Sequence, residues 1–370
     1  MIAAMHDVLI IGGGVIGLSL AWDLARHGSS VQVIDQGPLG REASWAGAGI
    51  LPAATFSKAL HPLEQLRGLA SEQHGTWAAE LRAMTDIDTG YQRCGGLHLA
   101  PSPGEAAALL AWADLMREEG VEAQVIDRER AATIEPGVVT SKALASCFLP
   151  DEAQLRNPRY LQALEKACRL AGVELTPQTG ATEWTVVNGA VTGLSTSAGQ
   201  LRARRYCVTA GSWSGQFLQR QGINLGIMPI RGQMILFRCQ QPPIQRIINV
   251  GSRYLVPRQD GYLLAGSTEE EVGFDKRTTD EAIADLIGFA RDIVPALASA
   301  SIEQTWAGLR PGSFDSLPYL GRLPGLANAF VAAGHFRNGL FLSPATAIVM
   351  SQLLRDEQPQ IDLAPFRVGR

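Results

Sequence analysis

Three glycines spaced Gly12-x-Gly14-x-x-Gly17 stand between an all-apolar run and an amphipathic segment, and this arrangement admits few folds. The run Val8-Leu9-Ile10-Ile11 has the pattern of a strand buried on both faces of a parallel sheet. Between residues 17 and 27, Leu18, Ala21, Leu24 and Ala25 fall on one helical face, and Gly28 supplies a stop. A second strand, Val31 to Ile34, ends at Asp35, which closes a βαβ unit of about 30 residues. Gly12 permits the tight turn, Gly14 lets a pyrophosphate approach the backbone, and Gly17 lets helix and sheet pack closely. Val15 and Ile16 lie in the first helical turn, whose positive end suits phosphates. Asp35, about 20 residues further on, is placed to accept hydrogen bonds from an adenosine ribose. The expectation is a dinucleotide site.

Composition narrows the class. The 370 residues correspond to about two domains. A hydrophobic share of 46% with 18% charged residues fits a soluble globular chain and argues against disorder. Lys and Arg total 32 against 36 Asp and Glu, a net charge of −4, and no basic block occurs, so nucleic acid is not an expected partner. Five cysteines (Cys94, Cys147, Cys168, Cys207, Cys239) without a Cys-x-x-Cys pair exclude a full disulfide framework and the familiar zinc patterns; no metal is expected. No basic leader precedes Val8 and no apolar run nears the ~20 residues of a membrane span, so a cytoplasmic location and no membrane partner are expected.

Further helices are expected over 105–119, over 157–172 with Asn157 as N-cap and Pro158 behind it, and from about Thr279. Between 223 and 268 the pattern becomes short apolar runs (Met234 to Phe237, Tyr254 to Val256, Tyr262 to Ala265) separated by turn residues, as in an antiparallel sheet.

The βαβ unit alone leaves FAD and NAD both open. Two later segments favour FAD. A strand leads through Ala210 and Gly211 to Ser212-Trp213-Ser214. Another, Phe330 to Ala333, ends at Gly334 and runs through His335-Phe336-Arg337-Asn338-Gly339 towards a helix expected at Ser343-Pro344. A second helix N-terminus beside the ligand can stabilise negative charge on a reduced flavin. A nucleotide domain assembled from such distant pieces suits a long cofactor. The expected fold class is α/β, a discontinuous Rossmann-like FAD-binding domain plus an α+β substrate domain with an antiparallel sheet. The expected division is 1–84, 148–222 and 306–370 for FAD, with 85–147 and 223–305 for substrate.

Several segments carry a family resemblance: Ile10 to Gly17, Gly40-Arg41-Glu42-Ala43-Ser44-Trp45-Ala46-Gly47-Ala48-Gly49-Ile50, Arg231-Gly232-Gln233-Met234, Arg253-Tyr254-Leu255-Val256-Pro257-Arg258, Trp306-Ala307-Gly308-Leu309-Arg310-Pro311 and Gly334-His335-Phe336-Arg337-Asn338-Gly339. Over essentially its whole length the chain resembles the D-amino-acid-oxidase family of flavoproteins, most closely its glycine oxidases of bacterial thiamin-thiazole biosynthesis. The resemblance implies non-covalent FAD, a small amino acid as substrate, hydride passing from its α-carbon to flavin N5, and O₂ as acceptor. It implies that Arg310 clamps the substrate carboxylate, that the Tyr254 hydroxyl meets the same carboxylate, and that Arg337 lies near carboxylate and flavin. Ala46, Gly47, Ala48, Gly49 and Ile50 match the loop along the flavin ring, with Arg41 and Ser44 in the same motif, and Thr182 falls where a backbone group meets the adenine. A homo-oligomer is the expectation from the relatives. Asp35 stands where many relatives have Glu, and the last cysteine, Cys239, lies too early to match the flavin-linking cysteine of the covalent relatives.

The residues also carry an argument of their own. Arg310, between Gly308 and Pro311, offers a planar fork that suits a carboxylate and that Lys cannot copy. Structural alternatives are an ion pair for Arg310, a strand aromatic for Tyr254, and a surface or capping role for Arg337. His335 is expected to position backbone beside the flavin, because hydride loss from a neutral amine needs no obligatory base. Oxidation of glycine, sarcosine or small D-amino acids is the leading expectation. A D-amino-acid or secondary-amine dehydrogenase with a non-oxygen acceptor, and a non-catalytic flavin subunit, are the alternatives.

Overall fold

The strand β1 (His6–Ile11) is buried over its last four residues, on both faces. It pairs in parallel with β2 (Val31–Ile34), Ile10 opposite Val33, and with Ala203–Val208, Ile10 opposite Cys207. In this computed structural model, which describes residues 5–370, β1 is central in a six-stranded sheet. The order runs Tyr319–Arg322, Ala329–Ala333, Ala203–Val208, β1, β2, Glu174–Thr176, and only the edge strand Tyr319–Arg322 is antiparallel. The central strands meet although far apart in sequence because β1, β2 and Ala329–Ala333, and Ala203–Val208 over its last three residues, are buried on both sides and need cover on both.

Four helices supply one cover: α1 (Val15–Arg26), Pro62–Thr85, Asn157–Leu170 and Gly339–Leu354. Leu18, Trp22, Trp77, Leu164, Ala345 and Met350 interlock there, with Trp22 and Trp77 edge to face at 4.8 Å between ring centroids. The opposite face packs on Trp184 and Leu194 of a three-stranded sheet and on Phe217.

A second, eight-stranded sheet builds the roof over the carboxyl ends of these strands. Its order is Ser301–Ser313, Ile227–Arg238, Tyr262–Gly266, Arg253–Pro257, Ile247–Val250, Gly96–Ala100, Ala145–Leu149, Gln124–Ile126. The antiparallel core expected over 223–268 is present, but the sheet recruits strands from both flanks, and Ile247–Val250 pairs in parallel with Gly96–Ala100. Leu286 and Ala290 of the helix Asp280–Ile293 pack on its back against Ile235, Phe237, Leu255 and Leu263. On the front, residues directly opposite one another form a row, Trp306, Met234, Gly266, Tyr254, Asn249 and His98. Opposed residues share a face, so this row and Arg310, four residues beyond Trp306, point the same way.

Some local expectations differ from the structure. Asn157 is not an N-cap: Arg156 holds that position and the Asn157 amide reaches across to donate to the Ser44 carbonyl at 2.8 Å. The last helix begins at Gly339 rather than Ser343, and Pro344 lies inside it. Pro344 cannot donate to the Leu340 carbonyl four residues back, and the Ser343 hydroxyl donates to that carbonyl instead, at 2.9 Å. The 24-residue helix Pro62–Thr85 is not among the sequence expectations; Gly68 and Gly75 interrupt its pattern. Gly68 is required there, since a Cβ would lie 2.4 Å from the Phe56 nitrogen.

Candidate active site

The glycine turn is built for close approach. Gly12 has φ +118°, and a Cβ on it would lie 2.5 Å from the Thr209 carbonyl oxygen; one on Gly17 would lie 1.9 Å from the Gly12 oxygen. The α1 N-terminus lacks a side-chain cap from Gly14, although the Val15 amide donates to Ser44 Oγ at 2.9 Å. Asp35 accepts from the Gly13 and Gly37 amides, both at 2.8 Å, one on each carboxylate oxygen. Burial nonetheless raises its carboxyl above the ordinary value. Each oxygen keeps a second lone pair for a hydroxyl in the cavity.

Residues 46–50 cross below the roof. Gly49 has φ +75° and a Cβ there would lie 2.0 Å from the Leu155 oxygen, while the Trp306 indole donates to the Ala46 carbonyl at 3.0 Å. Asn157 Oδ1, on the cavity wall beside this loop, is buried without a partner.

One continuous cavity runs from Asp35, Thr179 and Ala181, past the glycine turn, to Tyr254, Arg310 and Arg337. At that far end Arg310 donates to the Ser267 hydroxyl at 2.7 Å and to the Thr268 carbonyl at 3.0 Å. Both partners are neutral, and burial pushes the guanidinium below its usual value; the adjacent Tyr254 hydroxyl acts in the opposite sense and Arg337 in the same one. A desolvated guanidinium of this kind is a ready binding site for an anion. The Tyr254 hydroxyl donates to Met234 Sδ at 3.4 Å. Arg337 donates to the Ser252 carbonyl at 2.9 Å and lies 3.4 Å from Glu269. His335 is buried against the Thr346 hydroxyl at 3.1 Å, and burial pushes it down to about 3, so its ring is neutral near neutral pH.

The features fit a flavin dinucleotide. The tight packing of Gly12 on the Thr209 backbone holds the turn in place, Gly14, Val15 and Ile16 bring the start of α1 to the cavity wall, and Asn157 Oδ1 lacks a donor. The family described as DAO, FAD dependent oxidoreductase, matches residues 7–353. The chain belongs to that family.

Among its DAO relatives, the glycine oxidase of Pseudomonas putida is 36% identical over 361 residues, covering 97% of each chain. That of Pseudomonas aeruginosa is 35% identical, again over 97% of each. The crystal structure of glycine oxidase from Geobacillus kaustophilus superposes with a TM-score of 0.94 at 32% identity, over 99% of this chain and 98% of that one. FAD is the cofactor of this family.

Most residues expected from sequence to hold FAD line the DAO cavity: Gly12, Gly14, Val15, Ile16, Asp35, Arg41, Ser44, Ala46, Gly47, Ala48, Gly49, Ile50, Ala210, Gly211, Trp213, His335, Phe336, Arg337, Asn338 and Gly339. Gly17, Gly334 and Thr182 stand outside that lining. Gly17 acts through packing, as its spacing implies, and Gly334 closes a strand with φ +79°. The exposed Thr182 side chain donates to the Ser195 carbonyl at 3.0 Å, and Thr179 and Ala181 take the lining positions. Sequence reasoning missed a polar group on the roof. Glu152, buried, bonds His98 at 2.9 Å and Asn249 at 3.2 Å, and all three line the cavity. No local motif joins them; the register between distant strands does. None of the five cysteines lines the cavity. Among the described residues no cluster of three His, Cys, Asp or Glu could hold a metal, and no helix is long and apolar enough to cross a membrane.

Proposed function

We propose that the chain catalyses FAD-dependent oxidative deamination of glycine, with sarcosine and small D-amino acids as secondary substrates. The balanced reaction converts glycine, water and O₂ into glyoxylate, ammonia and hydrogen peroxide. The observation that carries this reading is the half-buried Arg310 guanidinium, hydrogen-bonded only to neutral partners, at the end of a cavity that begins in a dinucleotide turn.

In this reading Arg310 takes the substrate carboxylate in a two-point contact, with the Tyr254 hydroxyl and Arg337 completing the clamp. When bound, FAD supplies the two-electron acceptor and passes the electrons on to O₂. The clamp fixes the α-carbon, and Met234 and Tyr254 crowd the adjoining roof, which disfavours bulky side chains. A neutral His335 adds no positive charge that would disfavour protonated amine entering the site. The amine gives up its extra proton to water before oxidation, so hydride loss from the neutral amine needs no protein base.

The cofactor contacts are assigned to the lining residues named above, and the two-domain division to the boundaries expected from sequence. A role in supplying thiazole formation and assembly as a homo-oligomer belong to the same proposal, the latter tested by light scattering. Peroxide formation across glycine, sarcosine, D-alanine and larger amino acids tests the activity. Absence of turnover with every small amine would overturn it.

A further inference from the structure

Arg258, one residue past the strand Arg253–Pro257, is buried on the same face of the roof as Tyr254 and Val256. Its guanidinium makes three hydrogen bonds, to Gln154 Oε1 at 2.6 Å, the Leu155 carbonyl at 3.1 Å and the Ala48 carbonyl at 2.7 Å. Every acceptor is a neutral amide oxygen. The carboxylate that acts on it, Asp260, is already taken by Arg156 and, at 3.8 Å, by Arg159. Burial and the neighbouring Arg156 push Arg258 down to about 10, which still leaves it charged at neutral pH. An uncompensated buried charge is costly, and a well-packed apolar residue could fill the position more cheaply.

Its placement supplies a reason to keep it. Ala48 lines the cavity and Arg258 does not, so the charge stands one peptide group behind the loop of residues 46–50. Gln154 faces it with an oxygen, while the other end of the amide donates to Cys94 Sγ at 3.4 Å. With no carboxylate hydrogen-bonded to it, Asp260 shared with Arg156 and Arg159, and little solvent to screen it, the field of this cation extends into the cavity.

We infer that Arg258 is a fixed electrostatic element that makes bound FAD easier to reduce by stabilising negative charge as it accumulates beside Ala48. It is a positioning and tuning residue, not a catalytic one, since it touches neither substrate nor cavity. The inference rests on the proposed placement of the flavin along residues 46–50 and not on which amine is oxidised, because each readout below is taken without substrate.

The test uses FAD-loaded enzyme and sulfite, whose addition to an oxidised flavin leaves negative charge on the ring. R258M removes the cation. Q154E keeps the guanidinium and its packing but places a carboxylate against it. R258K retains charge with different hydrogen bonding. The expected result is at least tenfold weaker sulfite binding in R258M and Q154E, with a midpoint potential lower by at least ~30 mV, the two-electron equivalent of tenfold. R258K stays within about threefold of the parent. Sulfite affinity and potential unchanged in Q154E would overturn the inference, as would R258K shifting as far as R258M, which would mark a role in packing alone. Should R258M fail to retain FAD, Q154E and R258K decide the matter by these same criteria.

Discussion

The Arg310 guanidinium lies across Gly232, so close that a Cβ on that glycine would sit 2.1 Å from Nη2. The two are diagonal neighbours on paired strands, Gly232 opposite Gly308 and Ile230 opposite Arg310. The missing side chain is therefore a functional element, because it gives the carboxylate clamp a floor. Gly232→Ala should displace the guanidinium from Ser267 and Thr268 and raise KM for glycine at least tenfold, with the flavin spectrum retained. Steady-state kinetics check this, and an unchanged KM would contradict it.

Removing the clamp itself has a larger effect. Arg310→Ala is expected to cost ~2–5 kcal/mol in kcat/KM, the range for truncating a buried charged partner. Arg310→Lys recovers only part of it, since a point charge cannot reproduce the planar fork. A loss of less than tenfold in the alanine variant would remove Arg310 from the role assigned to it.

Tyr254 contributes a single hydroxyl. Tyr254→Phe should raise KM by an amount corresponding to ~1.5–3 kcal/mol, typical of a hydrogen bond to a charged group, and leave FAD affinity intact. A change confined to FAD binding would instead place the hydroxyl at the cofactor.

How much of this was legible in the sequence depended on distance along the chain. The β1–α1–β2 unit could be inferred from its residues because turn, helix and strand pattern are set within 30 or so positions. Arg310 could be nominated because the family resemblance of Trp306 to Pro311 marks it, while its neighbours Gly308 and Pro311 alone left an ion pair open. The group of His98, Glu152 and Asn249 could not, since it exists only through the register of strands far apart in the chain. Asn157 was legible as the start of a helix but not as a tie to the Ser44 carbonyl, because Asn-Pro has the same form in either case. Pro344 suggested a helix start, and only the Ser343 hydroxyl bond to Leu340 shows why it is tolerated inside the helix.

The glycine turn predicts a separable loss of cofactor. Gly17→Val would drive side-chain atoms into the Gly12 carbonyl and Thr209 Oγ1, which lie 1.9 and 2.7 Å from a Cβ at that position. The purified variant should carry FAD at far below stoichiometric amounts. A fully yellow variant would contradict the packing argument.

Acid stability follows from two buried histidines. Burial pushes His74 down to about 4 and His335 to about 3, below the ordinary value of 6.5. Between those values and 6.5 the unfolded chain binds more protons than the folded one, so stability is complete above pH 6.5 and falls as pH decreases. Each histidine contributes a slope of up to ~1.4 kcal/mol per pH unit in that window. Urea unfolding at pH 7 and pH 5 should show the decline, and replacing His74 with Phe should reduce it. Equal sensitivity in the variant would exclude His74 as a contributor.

Anaerobic addition of glycine to the FAD-loaded enzyme, followed by absorbance, bears on flavin and clamp together. The expected result is loss of the yellow oxidised band in the parent enzyme and its return on admitting O₂ with formation of hydrogen peroxide. An Arg310→Ala enzyme with equal FAD content should bleach far more slowly. A parent enzyme that holds FAD yet keeps its oxidised spectrum with glycine, or an alanine variant that bleaches at the parental rate, would contradict the account.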